Sequence, residues 1–585
     1  MADWPLVTLG QGAGAIELGL ALAPLVLALL VAVVGRRPRT AAEFDGRAAA
    51  LSPWKLGLSL GASDLALGLS LVALPLAASE PDGGLVCLQG LWIGGTLGRW
   101  IVSRWILPAA FAAREQGPTG WIAERLGGTA ARTAENLFAL AALASAAARL
   151  LLFAFALHLA LGPLLRSSAT PASLALLVVV LALSGALVYS VRGLRGGVAA
   201  DVVAFGFLLA AGVGGLVGLV GSLNAGWGTY VEVFLGARRH ELLSFDTSPA
   251  HEHTFWVALF VSSLASVGHY GADPLQLTRL LSAESLAGAR RALWSSLVVL
   301  FPAAVGCLVG AAVLAWRERN ALSPEVAELV GLRPEAIWPA IAAGELAPWA
   351  RGLVLAGFAA SALVAGKSAI AALVLLGGAW RRRRGAGEAS LGRLRVQAGF
   401  LGAVLALAGV ALLPLASRDP RALDLALASS SFVAGGLLAA AALALACRKR
   451  CSDGFLWALP LALAGSFASA EHGPRARLLL TIFAAAYFAA WVGWRSLPDW
   501  FGHRRRLGAL FELVAVAGAL LIVVWAGRLG FVPVERHFRY DPEWLWLPLS
   551  SPWYVPIGGW IGFVFGCLFA RGSAGSEGHA RSLAR

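Results

Sequence analysis

Charge is scarce in this chain. Asp, Glu, Lys and Arg make up 14% of its 585 residues, against 58% hydrophobic, with a mean hydropathy of +0.74. A soluble domain of this size does not carry so much apolar surface, so the bilayer must be the solvent. Lysine is rarer still: Lys55, Lys367 and Lys449 are the only three among 47 Lys plus Arg. The formal charge of +14 lies in short basic clusters between apolar segments. That pattern sets membrane orientation and is unlike a nucleic-acid-binding face. The five cysteines are scattered; Cys447 and Cys451 flank a basic turn with no second ligand pair to follow, which argues against a zinc module. The nine histidines are dispersed, and no nucleophile–base or metal-ligand spacing stands out, so a membrane enzyme is not expected. His251-Glu252-His253 is an i, i+2 pair without a third ligand and reads as a solvated loop. No basic region precedes the first apolar run, which is itself long enough to span, so no cleavable signal is expected. No polar stretch is long enough for a separate soluble catalytic domain.

What the chain has in abundance is apolar runs of spanning length. They fall near 12–35, 56–77, 84–110, 133–164, 170–191, 198–222, 254–272, 292–316, 352–379, 393–415, 424–446, 454–470, 476–494, 507–527 and 554–570. This predicts an all-α polytopic membrane protein of about fifteen helices, since open strands cannot satisfy their backbone in lipid. An outside amino terminus puts Arg36-Arg37-Pro38-Arg39, Arg192 to Arg195, Arg290-Arg291, Arg381 to Arg384, Arg448-Lys449-Arg450 and Arg504 to Arg506 in the cytoplasm. The carboxyl terminus is then cytoplasmic too, as expected in a bacterial-type inner membrane. Three outside connections are long: 223–253, 317–351 and 528–553, the last with Trp544, Trp546, Trp553 and Tyr554 as an interfacial belt. The segment 572–585 is rich in Gly, Ser and Ala and reads as a disordered tail.

Lys367 sits near the middle of the apolar segment from Gly352 to Trp380. A cation at that depth costs several kcal/mol unless it finds a partner or a wet cavity; the alternative is a lysine that merely caps a backbone carbonyl. Glu17, Arg99, Arg104, Glu135, Arg149, Asp201, Asp273 and Glu512 fall mostly near helix ends, where snorkelling accommodates them. Asp64 does not. It lies eight residues into its span, among Gly57, Gly61, Ala62, Gly68 and Ser70, small residues that permit close packing or local unwinding. A second irregular site is Gly268-His-Tyr-Gly271-Ala-Asp273-Pro274, where a continuous helix is not expected.

These residues bear a resemblance to the sodium/solute symporter family of proline, pantothenate and sugar carriers, over about residues 12–450. Thr40-Ala-Ala-Glu-Phe-Asp-Gly-Arg47 followed by Ser52-Pro-Trp54 resembles the loop joining the family's first two helices. Gly61-Ala-Ser-Asp64 is similar to the proline-carrier form of the next helix, and Arg125-Leu-Gly127 to an Arg-Phe-Gly that ends the following loop. Gly193 and Asp201 match a glycine and an aspartate of the family. Gly271-Ala-Asp-Pro-Leu-Gln-Leu-Thr-Arg279, running on through Ser282 to Arg291, resembles its Gly-Thr-Asp-Gln…Gln-Arg signature. The resemblance implies a LeuT-type core of two inverted five-helix repeats, 56–222 and 254–446. A leading helix and loop, 1–55, would precede it, the outside loop 223–253 would join the repeats, and additional helices would occupy 447–571. The first helix of each repeat would be broken, within 57–70 and 262–272, with substrate between the breaks near Ser63, Leu67, Ser266, His269 and Tyr270.

At the family's sodium site the chain departs from the pattern. The implied carbonyl donors are those of Ala62 and Leu65 beside Asp64, but Val364 and Ala365 stand where the family has hydroxyls. Lys367 falls at the next variable position and Ser368 at a conserved serine. Pro274 replaces the Gln after Asp273, and Ala204 stands where a Gln would follow Asp201. Asp201 and Asp273 are the implied gate or exit residues. A lysine ammonium about 4 Å from a cation repels it by roughly 4 kcal/mol at an effective dielectric of about 20, so charged lysine and bound sodium exclude each other. The expectation is therefore a secondary carrier of a small organic solute working by alternating access, with no cofactor and with Na+ or H+ as coupling ion. Sodium coupling would be altered or lost, and Lys367 would pair with Asp64 and the carbonyls of Ala62 and Leu65. The alternative is a transport-incompetent relative acting as sensor or scaffold for a protein partner docked on the additional helices.

Overall fold

The computed structural model describes residues 14–47, 50–67, 71–80, 83–161, 171–247, 253–383, 389–418, 421–446, 452–470 and 554–583. Among them the chain is helical throughout, apart from turns and one isolated bridge between Leu51 and Ala283. Helix α1 (Ala15–Val34) precedes a short helix α2 (Ala41–Phe44), capped by the Thr40 hydroxyl accepting from the Glu43 N–H. Then come α3 (Pro53–Leu67), α4 (Ala73–Ser79), α5 (Leu85–Ala112), α6 (Gly128–Leu161) and α7 (Pro171–Ser222). A second set follows: α8 (Trp227–Gly236), α9 (Val257–Gly271), α10 (Pro274–Leu281), α11 (Leu286–Arg319) and α12 (Pro348–Arg383). The last are α13 (Leu391–Arg418), α14 (Arg421–Ala446), α15 (Ser452–Ala470) and α16 (Tyr554–Leu583). Eight helical stretches among the described residues are long and apolar enough to cross a bilayer. The predicted spans at 476–494 and 507–527, Glu512, the Trp-rich connection 528–553 and His251-Glu252 lie outside the described residues.

Helix α12 is the axis of the bundle. It packs against α1, α6, α7 and α13, and 94% of its most apolar window is buried. The backbones of α7 and α12 come close because Gly185 lacks a side chain: a Cβ there would stand 2.9 Å from the Lys367 nitrogen. Helix α7 turns sharply at Gly193, whose φ of 60° and ψ of −144° suit glycine alone. A Cβ at that position would overlap the carbonyl of Phe44, so the α2 loop is seated in the kink.

The expected helix interruptions are partly realised. The chain is helical from Gly57 to Leu67, residues 68–70 lie outside the described residues, and before α4 the φ of Val72, −125°, is not helical. The small residues thus serve packing: a Cβ on Gly57 would overlap the Ser295 side chain. From Ser263 to Gly271 the chain stays helical. Helix α9 begins with a π-turn at Val257–Ser262, and the chain breaks at Ala272–Asp273, where the Asp273 carboxylate caps α10 by accepting from the Leu275 and Gln276 N–H groups at 2.8 and 3.3 Å. Proline at the first position of α10 needs no donor there, which makes this the natural point of re-entry.

Several charges expected to snorkel are buried instead. Arg99 and Asp201 have no exposed surface and Glu17 almost none. Glu17 pairs with Arg351, tying α1 to α12, while Glu135 accepts from Thr119 and from the Trp380 indole at 2.8 Å. In each case a partner from a distant helix substitutes for water.

Candidate functional site

Lys367 is the twentieth residue of a 36-residue helix, so about 24–28 Å of helix separates it from either end. A lysine side chain cannot snorkel that distance, and its 2% exposure shows that it does not. Its ammonium donates to Asp201 Oδ1 at 2.6 Å and to the Gly197 carbonyl at 3.0 Å. The other carboxylate oxygen of Asp201 accepts from Ser59 Oγ at 2.6 Å and from the Arg279 guanidinium at 3.1 Å. Arg279 also donates to Ser368 Oγ at 3.2 Å and to Gln276 Oε1 at 2.9 Å, and the Gln276 amide reaches Ser63 Oγ at 3.2 Å. One polar core thus ties α3, α7, α10 and α12 together. Two cations share one acid, a net charge of about +1 if all three are ionised, and Asp273 is the next acid along the chain from α10.

This corrects the expected Lys367–Asp64 pair. Asp64 has other partners: the Arg99 guanidinium at 3.2 Å, the His269 ring at 2.9 Å and the Tyr270 hydroxyl. Arg99 is held in turn by Ser296 Oγ at 2.9 Å, by the Gly95 carbonyl at 3.1 Å and by Tyr270, over whose ring it lies at 4.4 Å. The physical reason is position. Asp64 belongs to the side of α3 that meets α5 and α9, whereas Ser59 and Ser63 point to the α7–α10–α12 core. Ala62 and Leu65 lie within continuous α3, so no unwound loop of carbonyls surrounds an ion there. Val364 and Ala365 are buried and offer no side-chain oxygen. No group of three or more His, Cys, Asp or Glu side chains that could hold a metal ion occurs among the described residues.

Above this core lies a cavity of about 400 Å³, the size of many small-molecule sites. Asp64 of α3, Arg99 of α5, Ser266, His269 and Tyr270 of α9, Asp273 and Ser368 line it. Arg149 and Ser145 of α6 and Ser430 and Ser431 of α14 complete its polar lining. Arg149 donates to Ser145 Oγ at 2.8 Å, and the buried Ser266 hydroxyl has no hydrogen-bond partner. Ser266, His269 and Tyr270, which the resemblance placed near the substrate, line this cavity. Ser63 is instead fully buried in the polar core, and the side chain of Leu67 lies outside the described set. Val555, at the start of α16, also reaches the cavity.

The sequence reading missed Ser59, Gln276, Arg279 and Arg149. Arg279 and Gln276 were in view as parts of the 271–291 segment, and Arg149 as a charge within an apolar run. Nothing local says which helix each faces.

No family model and no curated protein matches the chain. Among solved structures, a Na+-coupled sialic acid symporter in a substrate-bound outward-open state is similar, with a TM-score of 0.66, 16% identity, and coverage of 95% of this chain and 98% of that one. A manganese transporter of Eremococcus coleocola also aligns, at a TM-score of 0.34 and 15% identity over 89% and 97% of the two chains, too weakly to argue from. The symporter alignment shows that this chain has a LeuT-type fold.

Proposed function

We propose that the chain is a secondary carrier of a small organic solute, working by alternating access, in which Lys367 takes the place of a coupling cation and protons replace sodium. The observation that carries this is the Lys367 ammonium on Asp201 Oδ1 at 2.6 Å in the core beneath the cavity. A cation fixed to the chain cannot be carried across, but its proton can. A guanidinium does not deprotonate in proteins, so of the two cations in the core Lys367 is the one able to change charge. Without that proton, Asp201 and Arg279 balance; with it, the core holds one excess positive charge. Asp64, the acid that the resemblance places at the sodium site, is paired with Arg99. The cavity favours a carrier over a silent scaffold, and an arginine on its wall suits a solute with an acidic group. The non-helical backbone at Val72 and at Ala272 supports two inverted repeats at 56–222 and 254–446. The arginine clusters support a cytoplasmic placement of the ends bearing Arg36 and Arg382, in a bacterial-type inner membrane.

The test is uptake by purified protein in liposomes, with a panel of small organic acids, amino acids and sugars under imposed proton or sodium gradients. Proton-driven uptake indifferent to sodium is expected. Sodium-stimulated uptake sinks the substitution by Lys367; no flux with any solute, together with a stable partner in pull-downs, would establish the scaffold reading.

A further inference from the structure

We infer that the Tyr189 hydroxyl holds a buried water on a proton path between Lys367 and a small cavity at Asp45, on the arginine-rich end of the bundle. The inference rests on the reading of Lys367 as the coupling group. Lys367 is sealed from solvent, so a proton that leaves it needs a route. Tyr189 lies on α7 beside the polar core, fully buried, and its hydroxyl finds no hydrogen-bond partner. A buried hydroxyl left bare costs roughly 1–3 kcal/mol by mutational measures, and an ordered water is the usual remedy. Two observations place the Tyr189 ring between the core and the surface loop. On one side, Lys367 Nζ and the Tyr189 ring flank the same glycine: they stand 3.6 and 3.8 Å from where a Cβ on Gly197 would be. Gly197 also supplies the carbonyl that Lys367 holds. On the other side, the Tyr189 ring packs edge-on against Phe44, with centroids 5.4 Å apart, and the next residue is Asp45.

Asp45 opens onto a cavity of about 30 Å³ lined by Arg47, Thr278, Ser282 and Arg382 as well. That is room for a water, which needs about 10–15 Å³. The charged groups facing the path are Lys367 of α12, Asp201 of α7, Arg279 of α10, and Asp45 with its partners Arg47 at 2.9 Å and Arg382 at 3.4 Å. The proton balance is closed. The Lys367 ammonium gives a proton to the water, the water gives one onward past the hydroxyl, and the Asp45 carboxylate takes it and releases it to solvent. Tyr189 accepts one proton as it donates another and keeps no charge.

The chain's three lysines make the test direct. Full-length protein labelled with 15N-lysine in lipid nanodiscs gives three Nζ resonances, and the Lys367 signal reports how fast its protons exchange with solvent. Tyr189→Phe removes one oxygen and keeps the ring on which Phe44 packs. It is expected to slow Lys367 exchange by at least about tenfold, as is Asp45→Asn, while a high-resolution structure of the wild type shows a water on the Tyr189 hydroxyl. Unchanged exchange in Y189F, or a dry hydroxyl, overturns the path. Failure of the carrier reading shows elsewhere, as sodium-driven or proton-free uptake in liposomes.

Discussion

Replacing Asp201 should damage the protein far more than replacing Lys367, although both belong to the same ion pair. At an effective dielectric of about 20, Asp201 attracts Lys367 at 2.6 Å by roughly 6 kcal/mol and Arg279 at 3.1 Å by roughly 5 kcal/mol. Lys367→Met removes one cation, but Asp201 still holds Arg279 and Ser59, so every remaining charge is paired. Asp201→Asn removes both attractions and leaves the two cations facing each other with no anion between them. Relief of desolvation offsets part of these figures, and breaking a buried pair so that a charge is orphaned costs about 3–5 kcal/mol in practice. We expect a loss of about 3–5 kcal/mol for Asp201→Asn, against about 1–2 kcal/mol for Lys367→Met. The double variant K367M/D201N should regain part of the loss, because one of the two facing cations is gone. The assay is reversible unfolding of purified protein in mixed micelles, followed by tryptophan fluorescence. If Lys367→Met proves as costly as Asp201→Asn, the assignment of Asp201 as the shared anchor of two cations is wrong.

Other consequences are simpler to read out. Gly193→Ala forces a Cβ into a φ of 60° and onto the Phe44 carbonyl, so it should cost well over 1 kcal/mol and yield little monodisperse protein on size exclusion. Arg99→Met orphans Asp64 beside the cavity, and we expect a loss of about 3–5 kcal/mol in the same unfolding assay; stability equal to wild type would mean that His269 and Tyr270 suffice. Burial pushes the Asp45 carboxyl above its ordinary 3.8, although Arg47 and Arg382 pull it down. The fold therefore holds this proton more tightly than the unfolded chain does. The contribution of Asp45 is complete below the ordinary value and is lost as pH rises through the raised one. Stability of the wild type relative to Asp45→Asn should accordingly fall as pH rises above about 4, and a difference that stays flat or grows would refute the sign.

The membrane setting, the helical class and the depth of Lys367 were all legible in the sequence. They follow from local facts: the length of an apolar run, the spacing of arginine clusters, and the distance in residues from a charge to the ends of its helix. The wall residues Ser266, His269 and Tyr270 were legible for the same reason, since Gly271 and Pro274 mark an interruption wherever they occur. Even Arg279 and Gln276 stood in a segment that drew notice. What the sequence alone did not determine was pairing. Asp64 and Asp201 are both acids within apolar runs, and choosing between them requires knowing which helices cross at the depth of Lys367. That crossing depends on Gly185, which lets α7 approach α12 and bring Asp201, 166 residues away in the chain, to the ammonium. Depth is a property of one helix and can be counted along it, whereas a partner is a property of two helices and exists only once they pack.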